Sequence, residues 1–147
     1  MQTDDNPEGP LTPEQAKAME DALKDDRDTF FDSFTQDFFT ANEELKVTES
    51  DRQKAIELAH QSSQVAALGC MKAFGTTDFR DDLRQIQVPV LVLHGDADGI
   101  VPLEGSGQRT HEAIPGSELV VIEDAPHGLN VSHPDEFNAA LLAFLRR

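Results

Sequence analysis

Val88-Pro-Val-Leu-Val-Leu-His-Gly-Asp-Ala-Asp-Gly-Ile-Val-Pro102 decides the reading of this chain. Residues 88–94 are apolar and β-branched with little alternation, which predicts a strand buried on both faces, as in a parallel sheet. Glycine and acidic residues end the run at once, so Asp96 and Asp98 fall in a loop at its carboxyl end. A second strand is predicted over residues 118–123. The stretch after it, Asp124-Ala-Pro-His-Gly-Leu129, puts His127 in the matching loop. Between the strands, residues 104–114 predict a helix weakened at its start by Gly105 and Gly107, and Pro115-Gly116 predicts a turn. Ser132-His-Pro-Asp135 predicts the cap of a last helix, with an apolar stripe of Phe137, Leu141, Leu142 and Leu145. Strand–helix–strand–helix is the pattern of a parallel α/β sheet.

The chain before this stretch reads differently. Residues 1–11, with Asn6-Pro7 and Gly9-Pro10, predict a loop with no structure of its own. Thr12-Pro13-Glu14-Gln15 is a helix start with Thr as cap and Pro in the first turn. Charged residues 24–28 predict a break, after which Phe30, Phe31, Phe34, Phe38 and Phe39 continue at helical spacing. Five of the nine phenylalanines thus lie in ten residues. They suit either a helix face packing on a core or the lining of an apolar pocket, here Phe30, Phe31, Phe34 and Phe38, and both hold if the helix is a lid. Thr48 caps a helix near 49–60, residues 65–74 read as another, and Thr77 can cap a short one over 78–85. Residues 12–85 are therefore expected to be helical throughout, with no strand.

Composition narrows the function classes. The chain has 147 residues, 28 acidic against 12 basic side chains, and a formal net charge of −16. Such a balance argues against nucleic acid and against anionic membrane surfaces as partners. Sixteen of the acids lie in the first 58 residues and only five of the basic residues are lysine. Acidic, lysine-poor surfaces are one means of staying soluble at high salt, so a halophilic source and a merely acidic soluble protein both fit. No apolar run is long enough to cross a membrane and the N-terminus lacks a signal-peptide pattern. The single cysteine, Cys70, excludes an intrachain disulfide and fits a cytoplasmic location. Cys70 lies in an apolar helical run and is expected to be buried and inert. No cysteine or histidine cluster has metal-ligand spacing.

In open α/β sheets functional residues gather in loops at the carboxyl ends of the strands. Adjacent parallel strands would bring the two carboxylates to His127. A carboxylate that accepts from one imidazole nitrogen fixes the tautomer and leaves the other nitrogen free to take a proton from a hydroxyl. Spacing alone leaves open which carboxylate does so, and whether the contact is only structural.

His94-Gly-Asp-Ala-Asp-Gly-Ile-Val-Pro102 followed by Ala125-Pro-His-Gly-Leu129 resembles the C-terminal part of the α/β-hydrolase superfamily. More closely, it resembles the bacterial cofactor-free (non-haem) haloperoxidase, perhydrolase and aryl-esterase group. Lys72-Ala-Phe, Thr77-Asp-Phe79, Ile86-Gln-Val-Pro89 and Asn138-Ala-Ala-Leu-Leu-Ala-Phe-Leu145 extend the match. The resemblance implies a partial α/β-hydrolase fold of class α/β. A helical cap or lid (residues 1–76) would be followed by two parallel strand–helix units (residues 77–147). It places the catalytic acid on Asp98 and the base on His127, leaves Asp96 as a turn residue bonding local amides, and makes His60, His94, His111 and His133 structural. It implies no cofactor and no metal, and a small apolar ester or carboxylic acid as substrate.

One departure is large. The group's nucleophile, a serine in Gly-x-Ser-x-Gly between a strand and a helix, should precede the acid and base. This sequence contains no such motif; Gly105-Ser106-Gly107 lacks the intervening residues and reads as a loose helix start. The expectation is a chain that is inactive alone, with an unpaired strand edge that makes it self-associating or dependent on a separate N-terminal hydrolase half. The other reading is a non-catalytic remnant or binding module.

Overall fold

A computed structural model describes residues 2–146. Its helices are α1 (Pro13–Asp25), α2 (Arg27–Phe38), α3 (Glu49–His60), α4 (Gln64–Thr76), α5 (Arg80–Leu83), α6 (Gly107–Ala113), α7 (Leu129–Ser132) and α8 (Pro134–Leu145). Its strands are β1 (Thr40–Ala41), β2 (Glu44–Leu45), β3 (Leu91–Gly95) and β4 (Glu118–Ile122). Two compact units contain them. The first runs to Gln36 and resumes over Thr48–Asp78; the second comprises Asp37–Val47 and the chain from Phe79 onward.

The first unit is helical. Thr12 and Gln15 form the expected capping box, with bonds of 3.1 and 2.9 Å that satisfy two backbone donors reciprocally. The charged break falls at Asp26, whose carboxylate accepts from the Thr29 N–H at 3.1 Å and so opens α2. Leu23 of α1 is fully buried and its carbonyl accepts from Gln64 of α4 at 2.9 Å. Arg52 on α3 ties α2 to α3, donating to the Asp32 carboxylate at 2.9 Å, to Thr35 at 3.2 Å and to Glu49 at 2.7 Å. Residues 2–11 are not structureless: Thr3 and Asn6 form a short bridge and Gln2 N–H donates to Leu11 at 2.6 Å. Cys70 is exposed, contrary to expectation, because α4 turns only part of its apolar surface inward; Val65 and Phe74 of the same helix are exposed too.

The second unit carries the sheet. β3 and β4 pair in parallel, Leu91 opposite Glu118 and Gly95 opposite Ile122. A 3-10 turn (Leu103–Gly105) and α6 make the connection, and α8 packs on both strands. Ile122, Ala125 and Leu129 form the core with Leu93 and Phe137, each fully buried large side chain contributing roughly 1.5–3 kcal/mol. The strand predicted to be buried on both faces is not: Leu91, Val92 and Leu93 are half-buried and Val88 is exposed. Among the described residues the sheet has two strands, so each has one edge without a strand neighbour.

Several local expectations need correction. Residues 12–85 do contain strands. β1 and β2 form a short antiparallel hairpin whose turn residues Asn42 and Glu43 have φ of 49° and 66°, the paired left-handed geometry that suits the twist of a two-residue hairpin. Thr77 closes α4, its hydroxyl on Ala73 at 2.7 Å, rather than opening α5. Ser132 ends the unforeseen α7, while His133 starts α8 with Pro134 in its first turn, as expected.

Candidate active site

The carboxyl ends of β3 and β4 are level, because Gly95 pairs with Ile122. The two following loops therefore leave the sheet side by side. Asp96 N–H donates to the Ile122 carbonyl at 3.1 Å and Ala97 N–H to the Ala125 carbonyl at 3.2 Å. The approach is so close that a Cβ on Gly95 would collide with the Ala125 carbonyl, so no other residue fits there without moving backbone.

Asp98 lies at the centre. Its side chain is 2% exposed. One oxygen, Oδ1, accepts from the backbone N–H groups of Ile100 at 2.9 Å and Val101 at 2.8 Å. This turn is of the kind that Asp forms with its own chain. The other oxygen, Oδ2, accepts from His127 Nδ1 at 2.7 Å and faces His94 Nε2 at 3.3 Å. Burial opposes the charge on Asp98, but the hydrogen bonds from His127, His94 and the Val101 amide outweigh it. They hold the carboxyl well below the usual carboxylate range.

His127 comes from the loop after β4, and its side chain is one-third exposed at 33%. With Nδ1 donating to an ionised carboxylate, the neutral ring leaves Nε2 as an acceptor. Phe38 meets this ring edge to face, centroids 4.7 Å apart at 78°. His94 is buried, and its Nε2 is 2.8 Å from the Val101 carbonyl. Both neighbours of that nitrogen accept, so it carries a proton. The Asp98 carboxylate raises the His94 pKa, against the opposing effect of burial.

The structure thus joins Asp98 and His127, as the resemblance implies, and gives Asp96 a different task. Asp96 Oδ1 does not bond local amides; it accepts from the Asp124 N–H at 2.7 Å, across to the other loop. The local turn belongs to Asp98 instead. Of the expected pocket residues, Phe38 groups with the second unit and touches His127. Phe30, Phe31 and Phe34 group with the first. There Phe31 is buried against His60, ring centroids 5.3 Å apart, and Phe30 stacks on Phe34 at 5.6 Å. His111 bonds Ser117 at 2.8 Å and His133 bonds Ser132 at 2.9 Å.

Sequence reasoning missed Asn42, Lys46 and Asp124. Asn42 Nδ2 and Lys46 Nζ donate to the two Asp124 oxygens at 2.7 and 2.6 Å. The available signal was slight: Lys46 is the one basic residue among the acids of residues 43–51. Among the described residues no three acidic, histidine or cysteine side chains converge as a metal site, and no helix is long and apolar enough to cross a membrane.

A parallel strand pair, a helical crossover and loops that meet at the strands' carboxyl ends are the features of an α/β fold. A family model for the alpha/beta hydrolase fold matches residues 29–134, and the chain belongs to that family. Within it the chain is similar to a putative non-heme chloroperoxidase of Synechocystis, 37% identical over 99% of this chain and 53% of the relative. It superposes on the crystal structure of a bromoperoxidase from Bacillus anthracis with a TM-score of 0.96 and 43% identity, covering 99% of this chain and 53% of that one. An esterase from Exiguobacterium antarcticum matches at a TM-score of 0.89 and 27% identity, with 100% and 53% covered. The protein is an α/β-hydrolase-type chain resembling non-heme haloperoxidases and esterases, and it spans about half the length of these relatives.

Proposed function

We propose that Asp98 and His127 are the acid and base of a carboxylic ester hydrolase whose serine nucleophile is supplied by another polypeptide segment. The observation that carries this reading is the 2.7 Å bond from His127 Nδ1 to the buried Asp98 Oδ2. It orients the ring and stabilises the imidazolium that a base must become. Nε2 takes the proton of the serine hydroxyl as its oxygen attacks the ester carbonyl, and then gives that proton to the departing alcohol. Water, activated the same way, cleaves the acyl-serine and releases the acid. With hydrogen peroxide in place of water the same step releases a peracid. Transfer of its terminal OH to halide, with cleavage of the O–O bond, then yields hypohalous acid and the carboxylate. Phe38, against His127, forms part of an apolar wall that favours small apolar acyl or aryl groups.

The 147 residues contain no Gly-x-Ser-x-Gly, so the chain alone turns over little or no ester. Its complement is an N-terminal α/β-hydrolase half, docked where β3 and β4 have free edges and where Val88 and Val121 are exposed. The relatives, about twice as long as this chain, have room for such a half within one chain. The test mixes this chain with the N-terminal half of a related esterase and follows p-nitrophenyl acetate hydrolysis. Activity is expected in the mixture, and loss of it with His127→Ala. Hydrolysis that survives both His127→Ala and Asp98→Ala would sink the assignment.

A further inference from the structure

Residues 124–128, the loop that carries His127, are held at both ends by one short ribbon some eighty positions earlier in the chain. At the head, Asp124 sits in left-handed backbone with φ of 57°, a conformation uncommon for non-glycine residues that Asp adopts more readily than most. Its N–H donates to Asp96 at 2.7 Å. Its two carboxylate oxygens accept from Asn42 Nδ2 at 2.7 Å and Lys46 Nζ at 2.6 Å. At the tail, Gly128 N–H donates to the Phe38 carbonyl at 2.9 Å. The Phe39 and Phe38 rings fill the space that a Cβ on Gly128 would need. Between these two attachments lies His127 itself, against the Phe38 ring.

The ribbon is built to present these groups together. Asn42 and Glu43 make the tight turn, and Lys46 N–H donates to the Phe39 carbonyl at 2.9 Å, which fixes Lys46 relative to the aromatic pair. The Lys46 side chain is 14% exposed although it carries a charge, and it also bonds Glu44 at 2.7 Å. Its cation sits among carboxylates that would otherwise repel one another.

We infer that the ribbon of residues 38–46 sets the position of His127, with Lys46 and Asn42 acting as positioning residues through the Asp124 carboxylate. The inference rests on the reading of His127 as the base. A general base must stand within hydrogen-bond reach of the proton it takes, and a misplacement of about 1 Å can cost two orders of magnitude in rate. Asp98 alone fixes one nitrogen of the ring. The ribbon fixes the backbone from which the ring hangs, so the two together define where Nε2 points.

The test is long-range 1H–15N correlation NMR on the full chain, reading the tautomer of the His127 ring and the exchange rate of its Nδ1 proton. In Lys46→Met and Asn42→Gly we expect that proton to exchange several-fold faster and the Nε2–H tautomer to emerge, while the His94 Nε2 proton keeps its rate. Lys46→Arg should restore the wild-type ring signals. A structural role without positioning would speed both imidazoles alike. Asp98→Asn is the parallel arm, because it removes the acceptor whatever the ribbon does. If Asp98→Asn changes the His127 ring and the ribbon variants do not, the positioning role is wrong and the base reading stands. If none of the variants changes it, both fail. Asn42→Gly keeps the test open should Lys46→Met not fold, because φ of 49° at this exposed turn suits glycine.

Discussion

Asp98 has two separable tasks, and two substitutions can weigh them. Its Oδ1 holds the Ile100 and Val101 amides, and its Oδ2 holds His127 and faces His94. The carboxamide introduced by Asp98→Asn retains one acceptor oxygen. If that oxygen stays on the two amides, the new NH2 group faces two imidazole N–H donors. If the carboxamide flips, its NH2 faces two backbone N–H donors. The first arrangement costs less, because His127 is partly exposed and can change tautomer. Losing a short, charge-assisted bond and weakening a second costs about 2–3 kcal/mol. Asp98→Ala loses the same and also strands two part-buried amides, at about 1 kcal/mol or more each. The expected order is therefore wild type, then Asp98→Asn at about 2–3 kcal/mol lower, then Asp98→Ala at about 4–5 kcal/mol lower. Urea unfolding followed by far-UV circular dichroism at pH 7 measures all three. If the two variants agree within about 0.5 kcal/mol, the turn owes nothing to Oδ1 and the division of tasks is wrong.

Stability should also vary with pH in two opposite senses. The lowered Asp98 pKa gives stability that is full above the unfolded value near 4 and lost as pH falls through the folded one. The raised His94 pKa gives stability that is full below the unfolded value near 6.5 and lost as pH rises through the folded one. Urea midpoints should therefore peak, for these groups, at about pH 4.5–6, and His94→Gln should remove the decline on the alkaline side. Gly95→Ala should destabilise by about 3 kcal/mol or more in thermal melts, because its Cβ meets the Ala125 carbonyl, which cannot swing aside. Exposed Cys70 should react fully with Ellman's reagent in the native chain, before any unfolding. With a net charge of −16, the melting temperature should rise between dilute buffer and molar salt as self-repulsion is screened, and a flat response would remove the case for a halophilic source.

What could be read in the sequence was what depends on short range or on strong pattern. The caps of α1 and α3 lie on Thr12 and Thr48, where hydroxyl and amide are three residues apart. The apolar runs of β3 and β4 and the break at Asp26 were equally local. Burial was harder to read, because a run such as Leu91-Val-Leu93 says that a face wants cover and not how much cover is present. The hairpin was invisible for a physical reason: two residues per strand give no alternation, and Asn42-Glu43 reaches left-handed geometry without a glycine. That one of the two carboxylates meets His127 was legible because parallel strands align their loops, but the choice of Asp98 over Asp96 came from the family resemblance and not from spacing. The Asp96–Asp124 and Lys46–Asp124 contacts were not, since they join positions 28 and 78 apart through side chains whose rotamers no pattern specifies.

The two carboxylates of the decisive loop can now be assigned by what they bind and not by order alone. Both reach the loop after β4. Asp96 takes the amide of Asp124, the second residue of that loop, and Asp98 takes the ring three residues later, at His127. A spacing of two residues on one loop therefore brackets three on the other, and His127 is fixed by its own side chain and by the start of its loop. This arrangement packs Asp96, Asp98 and Asp124 into a small volume of a protein that is already acidic. It holds because each has a different counterpart: a backbone dipole for Asp96, two imidazoles for Asp98, and an ammonium with an amide for Asp124. Burial alone would push Asp98 towards the protonated form, and the hydrogen bonds from His127, His94 and the Val101 amide prevent it. A protonated Asp98 would no longer be the charged acceptor that holds the His127 proton in place. In the positioning role inferred for it, Lys46 thus acts on His127 through the geometry of the Asp124 loop, while the charge of Asp98 is kept by its own imidazole and amide partners.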